Sequence, residues 1–193
     1  MATLTDDEMM RIRAELGSHV LANAATPLIG ILSIWGLIRD NVTSSTVSPT
    51  TSATTVSAVG PTTLTLASVT GYTAGQAIQI DCDAERETCT IRNVSGLTVS
   101  VICRKIHSGT YPVEVESPLT IVRGILSDLR RLEQGDVLAA FDTLGLKRVD
   151  EIEFSDAGRM RFIERAQLTL RRRLASACGV ASNSSNSSTM EPY

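Results

Sequence analysis

Apolar side chains recur at three- and four-residue spacing near both ends of the chain and at alternate positions through its middle, the periods of helix and strand. In residues 1–41, Thr5-Asp6-Asp7-Glu8 reads as a capping box: the threonine oxygen serves an early amide and Glu8 reaches back to Thr5. Met9, Ile12 and Leu16 follow on one face, and Gly17 predicts the end of that helix. A second helix is expected from near Pro27 to about Asp40. The pattern then changes. Sixteen of the twenty-nine residues from 42 to 70 are Ser or Thr, which suits a disordered linker. Yet TLTLASV (63–69) alternates as a half-buried strand does, and AIQID (77–81), TCTIRNV (88–94) and LTVSVIC (97–103) continue in the same way. Ser95-Gly96 predicts a tight turn between the last two.

Helical spacing returns at Ser117-Pro118, an N-cap followed by a proline suited to the first helical position. Val122, Ile125, Leu126 and Leu129 form the next apolar stripe, Gly135 breaks it, and Asp136 caps a shorter helix to about Leu144. VDEIEF (149–154) alternates like a short strand. Asp156 opens a last helix with Ile163, Ala166, Leu170 and Leu174 on one face, and Gly179 signals its end. Residues 181–193 are low-complexity and carry no core of their own. The expected fold is therefore α+β. A helical-bundle body (1–41 and 117–180) carries an inserted antiparallel β-module (42–116, its Ser/Thr-rich part being 42–62) and an extended C-terminal tail (181–193).

Composition narrows the function classes. The 193 residues suffice for a body with a real core plus one small module. Aromatics make up only 4%, which argues against a large aromatic-lined cofactor pocket, and the net charge of −3 provides no global field for nucleic acid. The charge-free run between Leu16 and Arg39 has a purely apolar core, apart from one serine, only from Leu28 to Ile38, short of the roughly 20 residues a membrane span needs. The acidic, polar stretch from Met1 to Glu15 does not read as a signal peptide, so an intracellular protein with free thiols is expected. Cys82, Cys89, Cys103 and Cys178 form no CxxC pair and no Cys/His cluster along the chain, so no metal site is expected.

The stretch IDCDAERETC (80–89) concentrates the candidate chemistry, with Asp81, Asp83, Glu85 and Glu87 at alternate positions alongside two cysteines. Pairing 77–82 with 88–94 as a hairpin puts Cys82 near Cys89. Ile78, Ile80, Cys82, Cys89 and Ile91 then share the packed face, and the acids fall on the solvated face and in the connection. The segment lacks the glycine and spacing of an EF-hand loop. A cross-hairpin disulfide fits the geometry but not the compartment. His107 and Ser108 are adjacent on an extended chain and point to opposite sides, so they make no catalytic dyad, and with Gly109 they shape a turn. No Walker A motif, GxGxxG fingerprint or HExxH occurs. No catalytic or cofactor-binding residue is assigned, and the chain is not expected to be an enzyme. The last helix is rich in arginine (Arg159, Arg161, Arg165, Arg171, Arg172 and Arg173), which serves a helix C-terminus, interface ion pairs or a nucleic-acid surface.

Three stretches make the chain resemble the head–tail adaptor (connector) proteins from the necks of long-tailed bacteriophages. They are the acidic-capped opening helix LTDDEMMRIRAELG (4–17), the segment TLASVTGYTAGQAIQIDCDAERETCTIRNVSGLTVSVICRKIHSGTYPVEVESP (65–118), similar to a β-module recurring in phage particle proteins, and LKRVDEIEFSDAGRMRFIERAQLTLRRRLASACGV (146–180), like the family's closing strand and long helix. Gln76 stands where that β-module favours aspartate, which predicts a different turn there. The resemblance implies a structural virion protein of the neck, assembled in the host cytoplasm as a ring, commonly dodecameric, beneath the portal protein. Such a ring extends the DNA channel, through which DNA passes without specific binding, and meets a stopper or tail-terminator protein. It implies no cofactor and no membrane. Its C-terminal segment would enter grooves on the portal, which makes Asn183, Asn186, Met190, Glu191, Pro192 and Tyr193 candidate portal-binding residues. Arg161, Arg165, Arg171, Arg172 and Arg173 are the candidate subunit interface. The alternatives are a nucleic-acid-binding protein using the arginine-rich helix, and a small β-domain enzyme or carbohydrate binder using the acids at 81–87.

Overall fold

A computed structural model of the chain describes residues 2–22, 28–144 and 156–180. Its helices are α1 (Asp6–Ala22), α2 (Leu28–Asn41), α3 (Pro118–Glu133), α4 (Val137–Leu144) and α5 (Asp156–Ala177). Between α2 and α3 lie β1 (Thr50–Ser52), β2 (Gly60–Thr65), β3 (Ala77–Ile80), β4 (Glu87–Thr90), β5 (Asn93–Ser95), β6 (Thr98–Cys103) and β7 (Tyr111–Val115). The strands form two antiparallel sheets, in the orders β1-β7-β3-β4 and β2-β6-β5. At about 42% helix this is an α+β chain, and the expected helical-bundle body is corrected. The physical reason lies in the Ser/Thr-rich stretch, which is drawn into the sheets instead of linking helices. Thr50 and Ser52 are buried in β1, the Thr50 hydroxyl accepts the Ser68 N–H at 3.0 Å, and the Thr54 hydroxyl accepts the Thr65 N–H at 2.9 Å. The β half thereby closes a core of its own, built on Leu64, Leu66, Tyr72, Ile78, Ile80, Ile91, Val99, Val101 and Val113. A second core joins Met9, Ile12 and Leu16 of α1 to Ile38, Leu129, Leu132, Ala166, Leu170 and Leu174 of the other helices.

Several boundaries depart from the sequence pattern. Gly17 does not end α1, which runs on to Ala22; a glycine inside a helix costs only about 1 kcal/mol against alanine. The run expected as one strand over 88–94 is two. β4 pairs with β3 in the first sheet and β5 pairs with β6 in the second, and the chain crosses between them at Ile91-Arg92. There Ile91 N–H donates to Gln76 O at 2.9 Å and Arg92 N–H to Ser100 O at 2.8 Å. The strand expected at 63–69 begins earlier, at Gly60, and ends at Thr65. Gln76 closes its own turn, accepting the Thr73 N–H at 2.8 Å and donating to Gly71 O at 3.3 Å. The strand expected at 149–154 lies outside the described residues.

The helical and β halves meet along α3. Ser117 caps it reciprocally: Thr120 N–H donates to Ser117 Oγ at 3.2 Å and Ser117 N–H to Thr120 Oγ1 at 2.8 Å, all of it buried. Arg86, in the connection after β3, reaches Asp128 of α3 at 2.7 Å, over a place where Gly124 has no side chain in the way. Glu8 closes the predicted capping box with Thr5 and also accepts from Arg123 of α3 at 2.6 Å. Among the described residues, no helix is long and apolar enough to cross a membrane.

Candidate functional site: a histidine sealed between two carboxylates

The hairpin that the sequence pattern placed around IDCDAERETC forms, but its faces differ from the expectation. Ile78 lies opposite Cys89 and Ile80 opposite Glu87. β3 ends at Ile80, and Asp81 (φ 66°) and Asp83 (φ 48°) both adopt left-handed backbone, a conformation that short polar side chains tolerate best after glycine. This double turn throws Cys82 into solvent and turns the Asp81 carboxylate inward. Cys82 therefore does not share the packed face with Cys89, and Glu87, expected among solvated acids, is buried at 8% exposure.

His107 meets these acids from the far side. Its backbone forms an isolated antiparallel bridge with Val56, with N–H···O distances of 2.8 and 3.1 Å. Its ring is 1% exposed, with Tyr111 alongside at 5.2 Å between centroids. The ring nitrogens contact Asp81 Oδ2 (Nδ1, 2.9 Å) and Glu87 Oε1 (Nε2, 2.7 Å). An ionised carboxylate only accepts, so with both acids ionised both nitrogens donate and the ring is an imidazolium. Burial is the largest single influence on His107 and opposes that charge. The hydrogen bonds and charges of Glu87 and Asp81 outweigh it and raise the pKa above the ordinary histidine value. Glu87 has further work: its Oε2 accepts the Arg104 N–H at 2.7 Å and its Oε1 the Lys105 N–H at 3.4 Å. Asp81 Oδ1 accepts the Cys82 N–H at 2.8 Å.

Two thiols complete the cluster. Cys89 faces inward from β4 and Cys103 from the end of β6, and both are buried. Cys89 donates to Ile102 O at 3.1 Å. The neighbouring Cys89 thiol holds Cys103 below the ordinary thiol value against the effect of burial. The same pairing pushes Cys89 well above it, with burial adding to the rise. One position of each of Glu87, Cys103 and His107 thus converges: the carboxylate oxygen, Sγ and ring nitrogen lie within 4.8 Å of one another. His107 has no free nitrogen with which to take a substrate proton, and Ser108 is exposed where His107 is buried. The arrangement is suited to holding charge and chain segments in place.

The remaining sequence candidates scatter. Asp83 accepts from Ser127 Oγ at 3.0 Å and Glu85 is exposed. Arg171 is engaged within the chain, its Nε 2.9 Å from Glu15. Arg161, Arg165, Arg172 and Arg173 are exposed and form no ion pair among the described residues. Asn183, Asn186, Met190, Glu191, Pro192 and Tyr193 lie outside the described residues. The buried cluster had one legible sign in the sequence: Glu87 shares strand parity with Cys89 and Ile91, so alternation alone puts it inward. Nothing local marked His107 or Cys103 as its neighbours. No protein-family model, curated protein or solved structure matches this chain.

Proposed function

We propose that this chain is a structural subunit of a phage neck, which assembles as a ring between portal and tail and extends the DNA channel. The reading rests on the resemblance of segments 4–17, 65–118 and 146–180 and on one surface of α5. Arg161, Arg165, Leu168 and Arg172 fall at i, i+4, i+7 and i+11, a single helix face, and all four are exposed. That face lies opposite the buried stripe of Ile163, Ala166, Leu170 and Leu174. Arginines around an exposed leucine, with Met160 exposed beside them, have the composition of a protein interface, where arginine and methionine are enriched and lysine is depleted. A ring needs such a face to meet a different face of the next subunit. The tail 181–193 is the proposed portal contact, many weak tails acting together through effective concentration.

The same stripe supports a second reading, nucleic-acid binding. Glu164 and Leu168 interrupt it, which favours the protein partner. Negative-stain imaging and light scattering of the full chain, alone and with a portal, test the first reading. Rings or portal caps are expected, and their loss in an Arg165→Glu, Arg172→Glu variant. A chain that remains monomeric and leaves portals uncapped overturns it. Binding of mixed-sequence DNA that weakens steeply with salt would establish the second reading in its place.

A further inference from the structure

Here we propose that the cluster beneath the β3–β4 hairpin is a binding site for a zinc-class divalent cation, with Cys103, His107 and Glu87 as ligands, Cys89 as the adjacent fourth donor and Asp81 orienting the imidazole. The inference is independent of the neck assignment. It begins with the donor set: a thiol, an imidazole and a carboxylate, with a second buried thiol, Cys89, whose Sγ lies 3.1 Å from the carbonyl of Ile102, the residue before Cys103. Sulfur and nitrogen with one carboxylate is a combination that selects zinc over magnesium or calcium, which take oxygen alone. Three of the ligand atoms lie within 4.8 Å of one another. Ligands on a tetrahedral zinc, at bond lengths of about 2.0–2.3 Å, stand about 3.5 Å apart, so small side-chain rotations admit the ion.

The surroundings are those of a built site. All four donors are buried, at 1% exposure for Cys103 and His107, 5% for Cys89 and 8% for Glu87. His107 Nδ1 is held by Asp81 Oδ2 at 2.9 Å, the carboxylate–histidine pairing that, once Nε2 has given up its proton, fixes the tautomer and presents Nε2 to a metal. Glu87 is oriented from behind by the Arg104 N–H at 2.7 Å. Loading the site displaces the proton of Nε2 and those of the ligating thiols, and the ion takes over the contact that Nε2–H now makes with Glu87. The donors come from β4 of one sheet, the end of β6 of the other, and the segment bridged to Val56. A bound ion would therefore clip the two sheets together, and its binding free energy would add to folding stability.

The test uses the full chain, stripped with a chelator and titrated with cobalt(II), whose spectrum reports thiolate ligation and tetrahedral geometry. One equivalent should produce the thiolate-to-cobalt charge-transfer band and intense visible bands, both abolished by added zinc. Cys103→Ser should remove the charge-transfer band or reduce it sharply, Cys89→Ser should weaken it, and Cys82→Ser should leave it unchanged. Asp81→Asn should lower zinc affinity about 10–100-fold in competition with a chromophoric chelator. Because the cysteine variants could fail to fold, the wild-type chain supplies a separate measurement: saturating zinc should raise its Tm. No thiolate band in the wild type, a band that depends on Cys82, or an unchanged Tm at saturating zinc would overturn the proposal.

Discussion

Glu87→Gln is the sharpest probe of the buried cluster, because it preserves shape and removes only charge and acceptor capacity. The native carboxylate accepts from His107 Nε2 at 2.7 Å and from the Arg104 N–H at 2.7 Å on its two different oxygens. A glutamine has one oxygen. Whichever donor receives it, the other faces an NH2 group, so one buried donor is left without an acceptor, at a cost of about 1–3 kcal/mol. The imidazolium also loses one of its two counter-charges, and breaking a buried pair on one side costs about 3–5 kcal/mol. These contributions overlap, since deprotonation of His107 relieves part of both. The expected loss is about 3–4 kcal/mol at neutral pH. It would be measured by urea unfolding in the presence of a chelator, so that bound metal does not enter. Glu85→Gln, on the exposed connection of the same hairpin, should stay within about 0.5 kcal/mol of wild type. The double variant Glu87→Gln, His107→Gln should be less destabilised than the sum of its parts, because the two residues act on each other. A loss below about 1 kcal/mol for Glu87→Gln, or strict additivity in the cycle, would refute the account of a charge-locked hairpin.

Ser117→Ala removes a buried capping hydroxyl where α3 leaves the sheet, and should cost about 1–2 kcal/mol in thermal or urea unfolding. Gly124→Ala places a Cβ 2.7 Å from Arg86 Nη1 and should displace Arg86 from Asp128, costing about 1–3 kcal/mol; the penalty should largely vanish in an Arg86→Ala background. Burial is the largest influence on Glu8 and acts to raise its pKa, but the Arg123 and Thr5 contacts lower it below the ordinary carboxylate value. The stability this residue adds is therefore present above its ordinary pKa and lost as pH falls through the lower folded value. Acid titration of stability should accordingly be flatter in Glu8→Gln than in wild type.

Much of the helical half was legible along the chain, because its determinants are local. Thr5 and Glu8, and Ser117 followed by Pro118, are capping signals contained within a few residues, and the stripes Met9-Ile12-Leu16 and Ile163-Ala166-Leu170-Leu174 declare their buried faces by spacing alone. The strand runs at 63–69, 77–81, 88–94 and 97–103 were visible for the same reason, whereas β1 lay hidden in the Ser/Thr-rich stretch. Their partners were not, since pairing is set by contacts between distant segments: β1 lies beside β7, and the run 88–94 serves two sheets. The balance of the fold followed from those pairings. Ser and Thr from 42 to 62 have the composition of a linker, and only once sheet partners satisfy their backbone do they build a β half with its own core. The cluster shows the same division. Alternation in β4 determined that Glu87 points inward with Cys89, whereas the left-handed turn at Asp81 and Asp83 decided that Cys82 points out. His107 and Glu87 are twenty residues apart in sequence and 2.7 Å apart in space. No local period relates residues at that separation; only the crossing of the two sheets and the bridge to Val56 bring them into contact.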